Sequence, residues 1–586
     1  MKAHFSRRAF TIGVAGLATG GPVLAQAPST EAVQSEPIIS SYARSLPVLA
    51  RHGMVASQEE KASRIGLEFL REGANAVDAA VATGFALAVT LPRAGNIGGG
   101  GFMLIHLARE QRDIAIDYRK FAGAMTDRDV FLDAEGKFAA AKSQSSGLGV
   151  GVPGTVAGFA LAHEKYGSGK FTLAQLMAPA VALAVNGFAV DEDLADSLPI
   201  AARRLGRYPS SQAIFFRGDG EPLQSGDRLV QKDLAATLDL IARRGPKGFY
   251  EGPVALKTIA SVGRAGGRMQ LDDLAGYRAI ERTPVRGSYR GYEIVSMPPP
   301  SSGGVHVIEI LNILEGFALA DFGPNSARAI HLIAEASKLA YADRSLYLGD
   351  PDFVKVPVSG LISKAYAEKL RAGISEDRAR PASDIAPGHP LPYESDQTTH
   401  FSVVDSEGNA VANTYTLNFS YGLGMVVEGA GFLLNNELDD FAAREGAANA
   451  YGLTGGAANA PGPRKRPLSS MSPTIVLKNG AVELVTGSPG GSRIISIVLQ
   501  IILNVLDFGM NPAEASEAAR VHDQWLPDVI EMERGISPDT MRLLVALGHK
   551  IKITRAFGSA QTIRRLDGML MGAADSRQRG TGVSGY

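Results

Sequence analysis

The apolar positions in the first quarter of the chain predict two helices next to a sheet. Apolar residues recur at helical spacing in residues 59–73, and a nearly continuous run of alanine and valine fills residues 76–89. The first pattern predicts an amphipathic helix that ends at Gly73, and the second predicts a helix that is buried on most sides. Strand-like runs follow in residues 102–107 and in the segment DIAIDYR, which ends at Arg119. We therefore expect a helical layer over a sheet.

Farther along, the pattern changes to short strands joined by tight turns. The segment HFSVVDSEGNAVANTYTLN contains two alternating runs joined by the turn SEGN, which predicts a β-hairpin. Pairing Asp405 with Ala410 across that turn places Thr399 opposite Thr416. Thr398 and Thr416 are then expected to be near neighbours.

Three further segments have clear patterns. The segment SPTIVLKNGAVELVTGSPGG predicts another hairpin, with its turn at Asn479 and Gly480 and a glycine pair at Gly490 and Gly491. The segment GYEIVSMPPPSSGGVHVIEILNILEGF predicts a strand, a rigid turn and a long helix. The four glycines at 98–101 lack the Gly-Lys-Ser/Thr sequence of a phosphate loop and lead into a strand, so we do not expect nucleotide binding. They predict instead a close approach between backbones, which only glycine permits.

Composition and charge narrow the classes of partner. The 586 residues are 45% hydrophobic and 20% charged, which is enough for a large core. A formal net charge of −1 argues against nucleic acid and favours a small molecule. The absence of cysteine excludes disulfides, thiol nucleophiles and thiolate metal sites. The ten histidines are scattered singly, so we expect neither a metal nor a cofactor, although a fold can bring distant ligands together.

The start of the chain, residues 1–27, has the features of an export signal. A basic beginning with Arg7 and Arg8 precedes a short apolar run and a site of small residues at 25–27. The paired arginines resemble the twin-arginine type. We expect a mature protein from Pro28 onward, in the periplasm or outside the cell. No other stretch is long and apolar enough to span a bilayer.

The adjacent threonines Thr398 and Thr399 raise the question of a nucleophile. On the residues alone, such a pair at the start of a strand is ordinary β-propensity. A threonine hydroxyl becomes nucleophilic when a base takes its proton, and an amide inside the chain cannot serve. If the bond between Gln397 and Thr398 were cut, Thr398 would gain an α-amine with a pKa of about 7.7–8.0, close to the best value for a general base. We hypothesise that the Thr398 hydroxyl attacks the Gln397 carbonyl and that the resulting ester is hydrolysed.

A series of motifs identifies a family in which this chemistry occurs. The motifs DQTTHFSVVD, NTYTLN, LLNNELDDF, RPLSSMSPT and TGSPGGSRI resemble, in order and spacing, the γ-glutamyltransferases of the N-terminal-nucleophile hydrolase superfamily. The likeness extends over residues 53–586 and includes GANAVDAAVA, GNIGGGGF, DYR, PPPSSGG and HDQWLPD. It implies an α+β fold, a four-layer αββα sandwich built from two self-generated chains. These are a large subunit, residues 28–397, and a small catalytic subunit, residues 398–586, which together form one heterodimeric unit.

The resemblance also implies roles for the residues of the site. Thr398 is expected to be the nucleophile that forms a γ-glutamyl ester, and Thr416 and Asn418 are expected to hold its hydroxyl and amine. Gly490 and Gly491 are expected to form the oxyanion hole. The remaining residues are expected to recognise the donor. Its α-carboxylate is expected to bind Arg119, Ser469 and Ser470, and its α-ammonium is expected to bind Glu437, Asp440 and Asn418. Tyr451 is expected to belong to a mobile lid over the pocket.

The implied activity is cleavage of γ-glutamyl amides such as glutathione, with transfer to water, amino acids or peptides. Two alternatives stay open: an acylase for glutaryl-type β-lactam side chains, and a periplasmic protein that binds γ-glutamyl compounds without turnover. The chain departs from the family at Lys120 and Gly123, where Arg-Glu and then Ala-Pro are usual, and before Arg577, where a proline is usual. His400 lies two residues from the proposed nucleophile, and we expect it to have a packing or supporting role.

Overall fold

Two seven-stranded antiparallel sheets form the frame of the protein in this computed structural model, which describes residues 45–386, 399–443 and 457–586. The strands are β1 (Val48–Ala50), β2 (Met54–Ser57), β3 (Gly100–Leu107), β4 (Arg112–Asp117), β5 (Phe188–Ala189), β6 (Arg228–Leu229), β7 (Ile280–Arg282), β8 (Val285–Tyr289), β9 (Tyr292–Ser296), β10 (Thr399–Val404), β11 (Ala410–Thr416), β12 (Thr474–Lys478), β13 (Ala481–Thr486), β14 (Val521–His522), β15 (Ile530–Glu533), β16 (Ile551–Thr554), β17 (Gln561–Leu566), β18 (Met569–Ala574) and β19 (Gly582–Gly585).

The helices surround these sheets. They are α1 (Glu60–Arg71), α2 (Ala76–Thr90), α3 (Ala140–Gln144), α4 (Thr155–Tyr166), α5 (Leu173–Asn186), α6 (Glu192–Leu205), α7 (Pro209–Phe215), α8 (Lys232–Arg244), α9 (Lys247–Tyr250), α10 (Gly252–Arg264), α11 (Leu271–Ala275), α12 (Gly303–Leu314), α13 (Leu319–Phe322), α14 (Ala327–Tyr347), α15 (Val358–Leu361), α16 (Lys364–Arg371), α17 (Arg493–Leu506), α18 (Pro512–Glu517) and α19 (Pro538–Ala546). Among the described residues, no helix is both long enough and apolar enough to cross a bilayer. The predicted export signal, residues 1–27, lies outside the described residues.

The two sheets face each other between two helical layers. The first sheet has the order β19-β2-β10-β11-β3-β4-β7, and the second has the order β1-β18-β17-β13-β12-β9-β8. Side chains alternate along the first sheet: Val403 and Val411 point to the core beneath α1, α2 and α4, whereas Val404 and Ala412 point to the core shared with the second sheet. Helices α12, α14 and α17 cover the other side of that second core. The predicted α+β fold, a four-layer αββα sandwich, is confirmed.

Segments from before and after residue 398 alternate within both sheets. In the first sheet β2, β3, β4 and β7 come from the earlier part of the chain, and β10, β11 and β19 come from the later part. The second sheet combines β1, β8 and β9 with four later strands. Because every described strand of these sheets lies in one compact unit, a cut near residue 398 would leave two interleaved chains with a common core.

The first two helices follow the predicted pattern. Helix α1 ends at Arg71, just before Gly73, whose φ of 89° is a left-handed conformation that favours glycine. Helix α2 begins after Asn75, whose side chain accepts hydrogen bonds from two backbone N–H groups of the first turn. Every residue of α2 is buried, as the continuous Ala/Val run predicts.

The register of the first hairpin differs from the prediction by one residue. Val404, not Asp405, pairs with Ala410, and Thr399 pairs with Tyr415 instead of Thr416. The reason is that Asp405 belongs to the turn, where its Oδ1 accepts the backbone N–H groups of residues 407 and 409 at 3.0 and 2.9 Å. The second hairpin, β12 and β13, turns at Asn479 and Gly480 as predicted.

The four glycines at 98–101 provide the close backbone approach that the sequence predicts. A Cβ on Gly99 would lie 2.1 Å from the carbonyl oxygen of Thr416, and one on Gly101 would lie 2.3 Å from that of Thr414. Cβ atoms on Gly98 and Gly100 would meet other carbonyl oxygens at 2.2 and 2.3 Å. The glycine run thus allows the start of β3 to pack tightly against the end of β11.

Candidate active site

The site lies at the end of the two central strands of the first sheet, where β10 begins and β11 ends. Gln397 and Thr398 lie outside the described residues, so the nucleophile and the cleavage point stay predictions. Thr416 ends β11, pairs with Gly100, and accepts the backbone N–H of Asn418 on its Oγ1 at 2.9 Å. Asn418 has a φ of 75° and donates from Nδ2 to the carbonyl oxygen of Asn436 at 2.9 Å. This bond connects the end of the strand to the acidic turn that follows.

Arg119 lies two residues beyond the end of β4 and is almost fully buried, with 1% of its side chain exposed. Its guanidinium donates to the carboxylates of Glu437 and Asp440, and to the carbonyl oxygens of Pro467 at 3.1 Å and Leu468 at 2.9 Å. The structure therefore brings together the cation and the two anions that were predicted to bind the α-carboxylate and the α-ammonium of one ligand. In this structure these charges pair with each other.

The acidic residues lie on a 3-10 turn, Glu437–Asp440, that neighbouring asparagines hold in place. Asn435 accepts the N–H groups of Gly151 at 2.9 Å and Glu437 at 3.1 Å, and Asn459 donates to the carbonyl oxygen of Asp440 at 2.7 Å. Asp439 and Asp440 are both buried, so neither is a solvated surface acid. Burial raises the pKa of Asp439 to about 6.

Ser469 and Ser470 follow directly after the carbonyl groups that hold Arg119. The backbone N–H of Ser302, in the PPPSSGG turn, donates to the Ser469 carbonyl at 2.7 Å. Arg344 of α14 donates to Ser302 Oγ at 2.9 Å and to Ser470 Oγ at 3.4 Å. Sequence reasoning missed Arg344, because its contribution depends on a helix that is distant from Ser470 along the chain.

Gly490 and Gly491 lie between β13 and α17, with φ values of 141° and 61°. Both conformations favour glycine. Across residues 45–386, 399–443 and 457–586, neither backbone N–H has a hydrogen-bond acceptor. The positive end of α17 begins two residues later, which adds to the attraction for a negative oxygen. A Cβ on Gly487, in the same loop, would lie 2.4 Å from the His400 ring, so the loop packs beside β10.

His400 has hydrogen-bond partners on both ring nitrogens and is fully buried. Nδ1 lies 2.8 Å from Thr414 Oγ1, and Nε2 lies 3.1 Å from Ser402 Oγ. Burial lowers the pKa of His400 to about 3, so the ring is neutral at physiological pH and is a weak base. These contacts support the predicted packing role.

We expect His400→Ala to cleave itself and to keep kcat within about tenfold of the parent, while losing roughly 2–4 kcal/mol of stability through the cavity and the unpaired hydroxyls. Mass spectrometry, urea unfolding and steady-state kinetics measure the three quantities. Ser402→Ala is the matched control: it removes the Nε2 partner and the hydrogen bond from the Ser402 hydroxyl to the Gln561 carbonyl oxygen, but keeps the imidazole ring. A folded His400→Ala protein that stays uncleaved would contradict the packing role.

Lys120 is a site residue that sequence reasoning noticed only as a departure from the family. Its Nζ donates to the carbonyl oxygens of Gly100 and Thr416, each at 3.0 Å, and forms an ion pair with Glu437. Burial lowers the pKa of Lys120 to about 7, against the opposing effect of the Glu437 carboxylate. Its position next to Arg119 was the signal available in the sequence.

Two remaining expectations concern the lid and metals. Tyr451 lies outside the described residues. A group that could hold a metal ion, which the isolated histidines did not predict, consists of His331 and Glu335 on α14 with His549, whose ligand atoms lie within 4.8 Å of one another. His331 Nδ1 is 2.7 Å from His549 Nε2, and Glu335 is ion-paired with Lys338. The two histidines therefore pair with each other and Glu335 pairs with Lys338, and none of the three is among the residues of the site described above.

Comparison with known proteins connects this geometry to a family. A family model described as Gamma-glutamyltranspeptidase matches residues 62–585. The protein named Glutathione hydrolase proenzyme of Escherichia coli (strain K12) is 54% identical over 542 residues, which cover 92% of this chain and 93% of that protein.

Solved structures of related enzymes have a similar fold. The cephalosporin acylase from Bacillus halodurans superposes with a TM-score of 0.82 at 28% identity, covering 94% of this chain and 98% of that one. A chain of the Helicobacter pylori gamma-glutamyltranspeptidase superposes with a TM-score of 0.56 at 46% identity, covering 60% of this chain and 97% of that one. The residues at the site described here are thus set in a frame that transferases and acylases have in common.

Proposed function

This chain belongs to the gamma-glutamyltranspeptidase family, and from that premise we propose that it is an autoprocessing γ-glutamyltransferase acting on glutathione and related γ-glutamyl amides. The acyl group passes to the Thr398 hydroxyl as an ester and then to water, an amino acid or a peptide. The reaction needs no cofactor, because base and nucleophile come from one residue.

The observation that carries this proposal is the buried cluster of Arg119, Glu437 and Asp440. A γ-glutamyl donor has an α-carboxylate and an α-ammonium on the same carbon, and the cluster offers the opposite charge to each. When the donor binds, its α-carboxylate accepts hydrogen bonds from the planar guanidinium of Arg119 and from the hydroxyl groups of Ser469 and Ser470. The α-ammonium pairs with the Glu437 and Asp440 carboxylates that Arg119 releases, so every buried charge keeps a partner.

The position of the nucleophile follows from the ladder between β10 and β11. Continuing the observed register by one residue beyond Thr399 and Tyr415 would place residue 398 opposite Thr416. Thr416 and Asn418 would then hold the hydroxyl and the amine of Thr398. Gly490 and Gly491 would bind the oxyanion through backbone N–H groups, and one such donor is typically worth about 2.7–4 kcal/mol in the transition state.

Processing would divide the precursor into two chains. Removal of residues 1–27 by the export machinery and cleavage after Gln397 would leave a large subunit that spans residues 28–397 and a small subunit that spans residues 398–586. The interleaved strands of both sheets support a heterodimer that stays together after the cut. The signal-like start supports a periplasmic or secreted location.

The glutaryl acylase is the second candidate, supported by the likeness to a cephalosporin acylase. A glutaryl group has a carboxylate but no ammonium, so it would leave Glu437 and Asp440 without the cation that a glutamyl group supplies. Breaking a buried ion pair without replacing the partner is costly. The charge pattern of the site therefore favours γ-glutamyl donors.

A direct comparison of donors tests the proposal. The purified protein is assayed with the p-nitroanilides of γ-glutamate and glutarate, and with glutathione. We expect the γ-glutamyl anilide to be cleaved at least about 100-fold more efficiently than the glutaryl anilide, because each unpaired buried charge is worth several kcal/mol. Faster cleavage of the glutaryl anilide would select the acylase, and binding of glutathione without turnover would overturn both enzymatic candidates.

A further inference from the structure

The buried side-chain nitrogen of Lys120 lies between the end of the first sheet and the acidic turn, Glu437–Asp440. Its Nζ donates to the carbonyl oxygens of Gly100 and Thr416 and lies 2.6 Å from Oε2 of Glu437. Gly100 and Thr416 are paired residues at adjacent ends of β3 and β11. One ammonium therefore ties the end of the sheet to the carboxylate that also holds Arg119.

The backbone is shaped to accommodate this lysine. A Cβ on Gly100 would lie 3.0 Å from Lys120 Cδ, and a Cβ on Gly151 would lie 2.8 Å from Lys120 Cβ. Any larger residue at Gly151 would press on the start of the lysine side chain. The channel for Lys120 is thus a built feature of the site.

Lys120 also balances the charge of the cluster. When Lys120 is protonated, Arg119 and Lys120 supply two positive charges, and Glu437 and Asp440 supply two negative charges, all in side chains with at most 2% exposure.

The two oxygens of Glu437 have different partners. Oε1 accepts from Arg119 Nη1, and Oε2 is ion-paired with Lys120. When a donor carboxylate takes Arg119, Glu437 must release that guanidinium. A buried carboxylate that keeps a second cation can do so at lower cost than one that depends on the arginine alone.

We propose that Lys120 is a positioning residue that fixes Glu437 and the Thr416 carbonyl, and thereby frees Arg119 to bind the carboxylate of the donor. The inference rests on the proposed function. Without Lys120, Glu437 would compete with the donor carboxylate for Arg119. Loss of Lys120 would therefore weaken the binding of carboxylate-bearing donors more than it would slow the chemical step.

Three variants test this role: Lys120→Met, Glu437→Gln, and the double variant. We expect Lys120→Met to raise KM for γ-glutamyl p-nitroanilide by about 10- to 100-fold, with kcat per processed molecule within about fivefold. The inhibition constant of 4-aminobutyryl p-nitroanilide, which has the ammonium but lacks the carboxylate, should change by less than about threefold. Glu437→Gln alone is expected to raise KM because it removes a partner of the donor ammonium, so that single variant is the reference for the double variant. With no charged Glu437 left to compete for Arg119, adding Lys120→Met to Glu437→Gln should change KM by less than about threefold.

Lys338→Met is the matched control, since Lys338 is also a buried lysine paired with a glutamate but lies on α14 outside the site. It should lose stability and leave donor KM unchanged. Two results would overturn the proposal: an equal loss of affinity for both ligands in Lys120→Met, or a rise in KM on adding Lys120→Met to Glu437→Gln as large as the rise in the parent. If Lys120→Met is not processed, recovery of processing in the double variant supports the pairing role, and its absence overturns it. Failure of the parent to cleave the γ-glutamyl anilide would refute the proposed function instead.

Discussion

Thr398→Ala is expected to accumulate as one uncut chain and to lose γ-glutamyl transfer by at least about 10⁴-fold, the scale seen when a nucleophile is removed from an acyl-transfer enzyme. Alanine has no hydroxyl to attack the Gln397 carbonyl, so the chain stays intact and no α-amine forms at residue 398. The same change removes the atom that would carry the γ-glutamyl ester. Intact-mass spectrometry and a γ-glutamyl anilide assay measure both effects on one preparation.

Thr399→Ala is the control for this prediction. It lies one residue away on β10, is fully buried, and its Oγ1 has no hydrogen-bond partner in the described part of the chain. Removing that hydroxyl should therefore cost little, and the variant should be cut and active. An active Thr398→Ala protein, or two fragments from it, would show that another residue is the nucleophile.

The interleaving of the sheets explains why the cut should be tolerated. A hairpin at the end of a domain would be released by cleavage, but β10 lies between β2 and β11 in the middle of the first sheet. Its side chains at Phe401 and Val403 belong to the core beneath α2. Strand β10 would therefore remain fixed by hydrogen bonds to β11 and β2 and by a buried face.

The elements that the sequence predicts well are those whose cause is local. The Ala/Val run of α2, the hairpin turn at Asn479 and Gly480, and the close approach at the glycine run all depend on residue type and spacing. Arg119, Glu437 and Asp440 could be named together only through the family resemblance, because the arginine lies far from both acids along the chain. Their direct pairing needed the structure.

Other features depend on side-chain hydrogen bonds that the alternation of apolar and polar residues does not encode. The register of the first hairpin shifted by one residue because the carboxylate of Asp405 serves the turn and also accepts the N–H of Ala76 at the start of α2. The role of Lys120 depends on the Thr416 carbonyl, which belongs to a distant part of the chain. Lys120 is placed by tertiary partners that its neighbours in sequence do not indicate, whereas the turn bonds of Asp405 are local and were missed because strand alternation alone set the predicted pairing.

The second large effect is expected at Arg119. Arg119→Gln leaves the Glu437 and Asp440 carboxylates buried with one cation fewer, and breaking a buried pair in this way costs about 3–5 kcal/mol of stability. It also removes the fork for the donor carboxylate, so kcat/KM for the γ-glutamyl anilide should fall by about 10³-fold or more. Arg119→Lys restores the charge without the planar fork and should recover stability more than kcat/KM.

Arg520 provides the matched control for Arg119, because it is equally buried and pairs with Asp575, which is not a residue of the candidate site. Arg520→Gln should lose a similar amount of stability in urea unfolding, while processed enzyme keeps its kcat/KM. If Arg119→Gln and Arg520→Gln lose activity only in proportion to their unfolded fraction, Arg119 is structural and the donor carboxylate binds elsewhere. If Arg119→Gln alone loses activity while folded, the guanidinium is the group that recognises the donor.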